Sequence, residues 1–182
     1  HANNYLATAF YQDNRAGIAY VDISTGEFGV TELTSKDIRN EIRAELFRLH
    51  PSEIVWPDSL PEPEHHPGHL SSFESWHFEA GRCSDQLKDH FEVATLDGFG
   101  LRGKPMAIRA AGAILAYLEE TQRQSLKLLT DLSVYTLDEF MVLDAETRRN
   151  LELTETIRTG KVAGSLLGIL DHTRTPMGSR LI

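Results

Sequence analysis

The chain has 182 residues, 41% of them hydrophobic and 25% charged, with a formal net charge of −9. That length suits one large domain or two small ones, and the composition is that of a water-exposed globular chain. Its longest apolar run, Ala110 to Leu118, falls well short of the ~20 residues a membrane span needs. No leader pattern opens the sequence. The acidity is local: residues 51–100 carry 10 acids and 2 bases, whereas residues 101–182 carry 10 acids and 11 bases. Such a chain is a poor general phosphate binder, because non-specific nucleic-acid affinity comes from Lys and Arg.

The first third reads as strands. Tyr5 to Phe10 is a short β-favouring run, and Asp13-Asn14 supplies a turn. Ile18 to Ile23 follows, with Ile18 and Tyr20 on one face and Ala19, Val21 and Ile23 on the other. Ser24-Thr25-Gly26 reads as a tight turn, and Phe28 and Val30 begin a third strand, completing an antiparallel meander. Thr34 and Asp37 resemble a capping box, and Ile38, Ile42, Leu46 and Leu49 form a helical stripe ended by Pro51. Ser52 to Trp56 is a fourth, buried strand. Residues 57–72 hold four of the seven prolines and three histidines and read as a loop. Ser84 caps a short helix with Leu87 and Phe91 at i, i+4. Met106 to about Leu129 is a long helix that turns polar near Glu119, so a domain boundary is expected around residue 130. Beyond it, Phe140 to Leu143 is apolar, Asp144 caps a helix through about Arg158, and Ser165 caps a short one with Leu166, Leu167 and Leu170. Thr175-Pro176 starts a further helix, yet the chain ends six residues later. The simplest expectation is a piece of a longer protein, with Leu166, Leu167 and Leu170 left exposed.

Several patterns invite a chemical reading. Gly98-Phe99-Gly100-Leu101-Arg102-Gly103-Lys104-Pro105 matches G-x-G-x-x-G and seven positions of a Walker A loop. The eighth position needs a hydroxyl for magnesium, and Pro105 has neither a hydroxyl nor an N–H. Val93 to Leu96 is a weak candidate for the strand such a loop requires. A glycine loop with Pro105 opening a helix is the better reading. His65, His66 and His69 lie in a proline-rich stretch without a framework for a metal. The single cysteine, Cys83, excludes an internal disulfide framework and fits a reducing, cytoplasmic setting. Beside Arg82 and ahead of a helix, its thiol pKa could be lowered.

The strand-strand-strand-helix-strand order is how a ribonuclease-H-like fold begins. Enzymes of that fold hold two metals with carboxylates from the first strand, first helix and fourth strand. Here the first strand has no acid, so the fold is expected without the chemistry. A divergent metal-dependent nuclease using Asp22, Glu41 and Glu45 is the alternative, and an autonomous DNA-binding module is a third class.

Met141-Val142-Leu143-Asp144-Ala145-Glu146-Thr147-Arg148-Arg149-Asn150-Leu151-Glu152-Leu153 resembles the entry to the core domain of the MutS family of DNA mismatch-repair proteins. Gly164-Ser165-Leu166-Leu167 and the run from Leu170 to Leu181 continue that pattern. Ala19 to Phe28, Pro51-Ser52-Glu53-Ile54 and Gly98-Phe99-Gly100 look like the family's connector domain.

The resemblance implies an α/β fold. A ribonuclease-H-like connector domain over residues 1–130, with a mixed sheet, would precede a truncated helical core segment over residues 131–182. It also implies a non-catalytic stretch that links mismatch recognition to an ATPase domain and helps to dock MutL. ATP and magnesium, mismatched DNA and homodimer formation would belong to the longer protein. No catalytic, cofactor or metal residue is expected here. Charge alone points to the short helix around Asp85, Gln86, Lys88 and Asp89 as the partner-binding surface.

Overall fold

A computed structural model describes residues 5–137, 151–152, 156, 161–170 and 172–173. Strands β1 (Tyr5–Gln12), β2 (Arg15–Asp22) and β3 (Glu27–Thr34) form the expected meander. Asp13 turns the first hairpin at φ 54° and Gly26 the second at φ 78°. Then come α1 (Ile38–Leu49), β4 (Glu53–Pro57), β5 (His69–Phe73), α2 (Ala80–Phe91), α3 (Pro105–Thr121) and β6 (Ser133–Val134). The sheet order is β5-β4-β1-β2-β3-β6. β4 runs parallel to β1, β5 to β4 and β6 to β3, so β2 alone is reversed.

Alternation along the strands sorts side chains between two cores. Ala7, Ala9, Ala16, Ile18, Ile54 and Trp56 face the α1 stripe of Ile38, Ile42, Leu46 and Leu49. Leu6, Phe10, Val21, Phe28, Val30 and Val55 belong to the opposite core, with Leu87 of α2 and most of α3. The sheet is thus covered on both faces, α1 on one and α2 and α3 on the other. Ile18 and Tyr20 do point away from Ala19, Val21 and Ile23, as their spacing predicts.

Five local expectations change. Four of the five residues of β5, His69 to Ser72, lie inside the stretch read as a loop. As an edge strand it needs backbone pairing to β4 more than apolar alternation, and only Phe73 of its five residues is buried. α2 starts one turn earlier than expected. Glu79 occupies its N-cap position, Ser84 lies within the helix, and the buried pair is Cys83 and Leu87. α3 stops at Thr121, whose hydroxyl donates to Tyr117 O at 2.7 Å, and Arg123–Leu128 tightens into a 3-10 helix. Asp37 is the N-cap of α1 but makes no side-chain cap; its carboxylate accepts from the Asn40 amide instead. Residues 93–96 form no strand.

α3 is the central helix. Pro105 opens it at the first position, as expected. Ala107, Ala110, Ala111, Ala113, Ile114 and Leu115 are all buried, because the sheet covers one side and α2 the other. Two glycines set how close those neighbours come. A Cβ on Gly17 of β2 would overlap the Met106 carbonyl, and one on Gly112 would overlap Cys83 of α2.

The chain divides into two compact units, with the first running to Thr136 and the second from Leu137. In the second, α4 (Leu166–Leu170) is capped as expected: Ser165 Oγ accepts from Gly168 N–H at 3.1 Å. Leu166 and Leu170 are exposed and Leu167 is half-buried. The expected elements around Phe140, Asp144 and Pro176 lie outside the described residues.

Gly112→Val should force α2 off α3. A loss of about 1–3 kcal/mol in urea unfolding is expected, the usual range for overpacking a filled core.

Candidate docking surface

Burial of Cys83 and Leu87 against α3 fixes which way α2 faces. Residues 85 and 89 are one turn apart and therefore share the outer side. Asp85 and Asp89 are both exposed there. Lys88 Nζ lies 3.6 Å from Asp85 Oδ1, with the Asp85 side chain 75% exposed. In so open a setting that pair contributes little stability and leaves the acids accessible. Gln86 points elsewhere: its amide donates to Glu119 Oε2 of α3 at 2.9 Å. Of the four residues singled out by charge, Asp85, Lys88 and Asp89 form one surface and Gln86 buttresses the helix.

Next to this surface stands a group that charge patterning misses. Trp76 is 42% exposed, its indole N–H donates to Glu74 Oε2 at 2.8 Å, and the Arg82 guanidinium sits 4.2 Å from its ring centre. His77 stacks between Trp76 and Phe73, at 3.5 and 3.9 Å between ring centres. Its Nε2 is 3.3 Å from Glu120 Oε1, and its Nδ1 has no partner among the described residues. Burial pushes the His77 pKa below its usual 6.5, and Arg82 adds to that, while Glu120 and Glu74 oppose it. The local sequence Ser75-Trp76-His77-Phe78 carries no periodic signal that would mark it.

The other motif residues have structural work. The start of α3, where a phosphate would rest in a nucleotide-binding loop, is already occupied. Glu32 of β3 accepts from the N–H groups of Met106 at 2.8 Å and Ala107 at 3.1 Å, and pairs with Arg15. Gly100 and Gly103 take positive φ in the loop leading to it. Asp22 Oδ1 accepts from Ser24 N–H and O–H at 2.8 and 2.5 Å. Glu45 is buried, holds Arg48 at 2.8 and 2.6 Å and accepts from the Tyr135 hydroxyl at 2.7 Å. Among the described residues, which include Asp22, Glu41 and Glu45, no group of three or more His, Cys, Asp or Glu is placed to hold a metal. Cys83 is buried inside α2 rather than ahead of it, and desolvation pushes its thiol up to about 12, the reverse of the lowering expected beside Arg82. No helix among the described residues is long and apolar enough to cross a membrane.

The family model for MutS domain II matches residues 4–130, and that for MutS domain III matches residues 146–182. The chain belongs to the MutS family. It is 44% identical over 182 residues to the DNA mismatch repair protein MutS of Dehalococcoides mccartyi, covering 99% of this chain and 21% of that protein. The proteins of the same name from Lachnoclostridium phytofermentans and Thermosynechococcus vestitus are each 41% identical, over 191 and 196 residues. Each match covers 99% of this chain, and 20% and 22% of those proteins. The chain thus spans about a fifth of the length of the relatives it matches. MutS domain II is the family's connector, so the connector resemblance seen at Ala19 to Phe28 and Gly98 to Gly100 holds.

Two outcomes follow for this MutS-family chain. Glu32→Ala should leave the first amides of α3 uncapped and cost about 1–2 kcal/mol in urea unfolding, the range for losing a good N-terminal cap. His77 is held neutral in the fold, so the unfolded chain binds more protons below pH 6.5 and stability falls as pH falls through that value. His77→Phe should flatten that decline when urea midpoints are compared between about pH 7.5 and 5.5.

Proposed function

We propose that this chain serves as a non-catalytic linking and docking element of a longer DNA mismatch-repair protein. The first unit, through Thr136, would be the connector domain, and the second the start of the core domain. The observation that carries this reading is the pair of matches to MutS domains II and III, in that order, along one chain. The strand order β5-β4-β1-β2-β3 with β2 alone reversed supports a ribonuclease-H-like connector.

Transmitting a state between distant sites requires packed elements that two sites can bias. A covered sheet with α3 wedged against it is stiff in this sense, because close-packed interiors pass on displacement rather than absorb it. ATP and magnesium binding, mismatch reading and dimer formation belong to other parts of the longer protein, in the cytoplasm. This stretch couples them and offers the outer face of α2 to MutL. Its acids would steer a basic partner surface and repel the DNA backbone.

The test is calorimetry with the N-terminal half of MutL at low and high salt. Saturable binding that weakens with salt, and becomes about tenfold weaker for Asp85→Lys with Asp89→Lys, is expected. Binding unaffected by the charge reversals would remove α2 from the docking role.

A further inference from the structure

A concave feature lies on the other side of the sheet from α2. It is a groove of about 250 Å³ between the first turns of α1, the ends of β1 and β4, and the Pro61–Glu64 segment. Tyr11 and Trp56 form part of its lining, with ring centres 6.4 Å apart. Trp56 is only 4% exposed and is pinned by its indole N–H, which donates to Leu60 O at 3.3 Å. Arg39 and Arg43 stand one turn apart on the α1 wall. Both are exposed, and neither makes an ion pair or side-chain hydrogen bond among the described residues. Pro61, Pro63 and Glu64 form the opposite wall.

The placement reverses the chemistry expected of the fold. A two-metal nuclease would present carboxylates from its first strand, first helix and fourth strand. Here the same three elements present Tyr11, then Arg39 and Arg43, then Trp56. Two guanidinium groups repel a metal cation and attract a carboxylate, which they can grip bidentately. Their charge is not spent within the described part of the fold, whereas Arg15 is paired with Glu32 and Arg48 with Glu45.

We propose that this groove docks an acidic peptide segment of a partner protein. Arg39 and Arg43 hold one carboxylate side chain, and an adjacent apolar side chain packs over Tyr11 and the two prolines, reaching only the small exposed part of Trp56. A peptide fits better than a nucleic acid for three reasons. Trp56 is buried too deeply to serve as a stacking platform for bases. Asp37 and Glu64 on the rim repel a polyanion but can accept N–H groups of a peptide backbone. A nucleic acid brings a phosphate at every nucleotide to a chain of net charge −9, whereas the two arginines need only one carboxylate from a peptide. The site lies on the α1 face and does not depend on the docking role of α2.

The experiment uses the 182-residue chain and a short blocked peptide of alternating glutamate and leucine. Controls carry lysine for glutamate or serine for leucine, and an oligothymidylate represents nucleic acid. Saturable, salt-sensitive binding of the Glu-Leu peptide is expected, with an NMR shift of the Trp56 indole N–H and none at Trp76. Arg39→Glu with Arg43→Glu should weaken it about tenfold or more without moving the urea midpoint. The proposal is overturned if the Glu-Leu peptide does not bind, or if either control peptide binds as well. Indifference to the arginine reversals, or oligothymidylate taking the groove instead, overturns it too.

Discussion

The fold of the first unit depends on one close contact: α3 lies against the sheet at backbone distance. Gly17 and Gly112 leave no room for a side chain on either flank, so α3 is held between β2 and α2 without slack. Glu32 then ties the N-terminal end of the helix to β3 through two backbone amides, and Tyr117 ties the far end to β4 by donating to Glu53 Oε1 at 2.5 Å. A helix anchored at both ends and filled with alanine between them can shift only if the sheet or α2 shifts with it. That is the property a connecting element needs.

The same contact organises the surface. Because Cys83 must meet Gly112, α2 can present only its Asp85–Asp89 side outward, and the Trp76–Arg82 pair is carried alongside. On the opposite face of the sheet a second set of polar groups secures the segment that leaves this unit. Tyr5 and Tyr20 donate to Glu27 at 3.2 and 2.8 Å, and Tyr135 reaches Glu45 just beyond β6. Burial, followed by Glu27, pushes the Tyr5 hydroxyl up to about 12. Burial does the same more strongly to Tyr20 and Tyr135, with help from Glu27 and Glu45 respectively, so all three stay neutral donors. β6 has only two paired residues, so this tyrosine–carboxylate bond is a substantial part of what holds the exit strand.

Much of the architecture was legible in local pattern. The two-residue period of β1 to β3 separated the two cores, the Ile38–Leu49 stripe marked α1, and Pro105 marked the start of α3. The family was legible from contiguous motifs such as Ala145-Glu146-Thr147-Arg148-Arg149. β5 was not, because an edge strand is held by backbone pairing and shows no apolar period. The start of α2 was missed because its first turn, Ala80-Gly81-Arg82-Cys83, includes a glycine and shows no apolar stripe, so the serine after it resembles a cap. For the residues singled out by charge, spacing predicted the shared face of Asp85, Lys88 and Asp89, but not that Gln86 turns to α3 or that Trp76 stands beside them.

The sequence by itself determined the strand and helix periods, the placement of its acidic excess and the family. It also argued against a nucleotide-binding loop at Gly98 to Lys104, since proline at position 105 can neither bind magnesium nor donate an N–H. Tertiary structure alone decided which carboxylates are already engaged. Glu32 and Met106 are 74 positions apart, and Glu45 and Tyr135 are 90. No local pattern relates groups at such separations. It likewise decided that Arg39 and Arg43 keep their charge available beside Tyr11 and Trp56, because only the closed sheet brings α1, β1 and β4 to one groove.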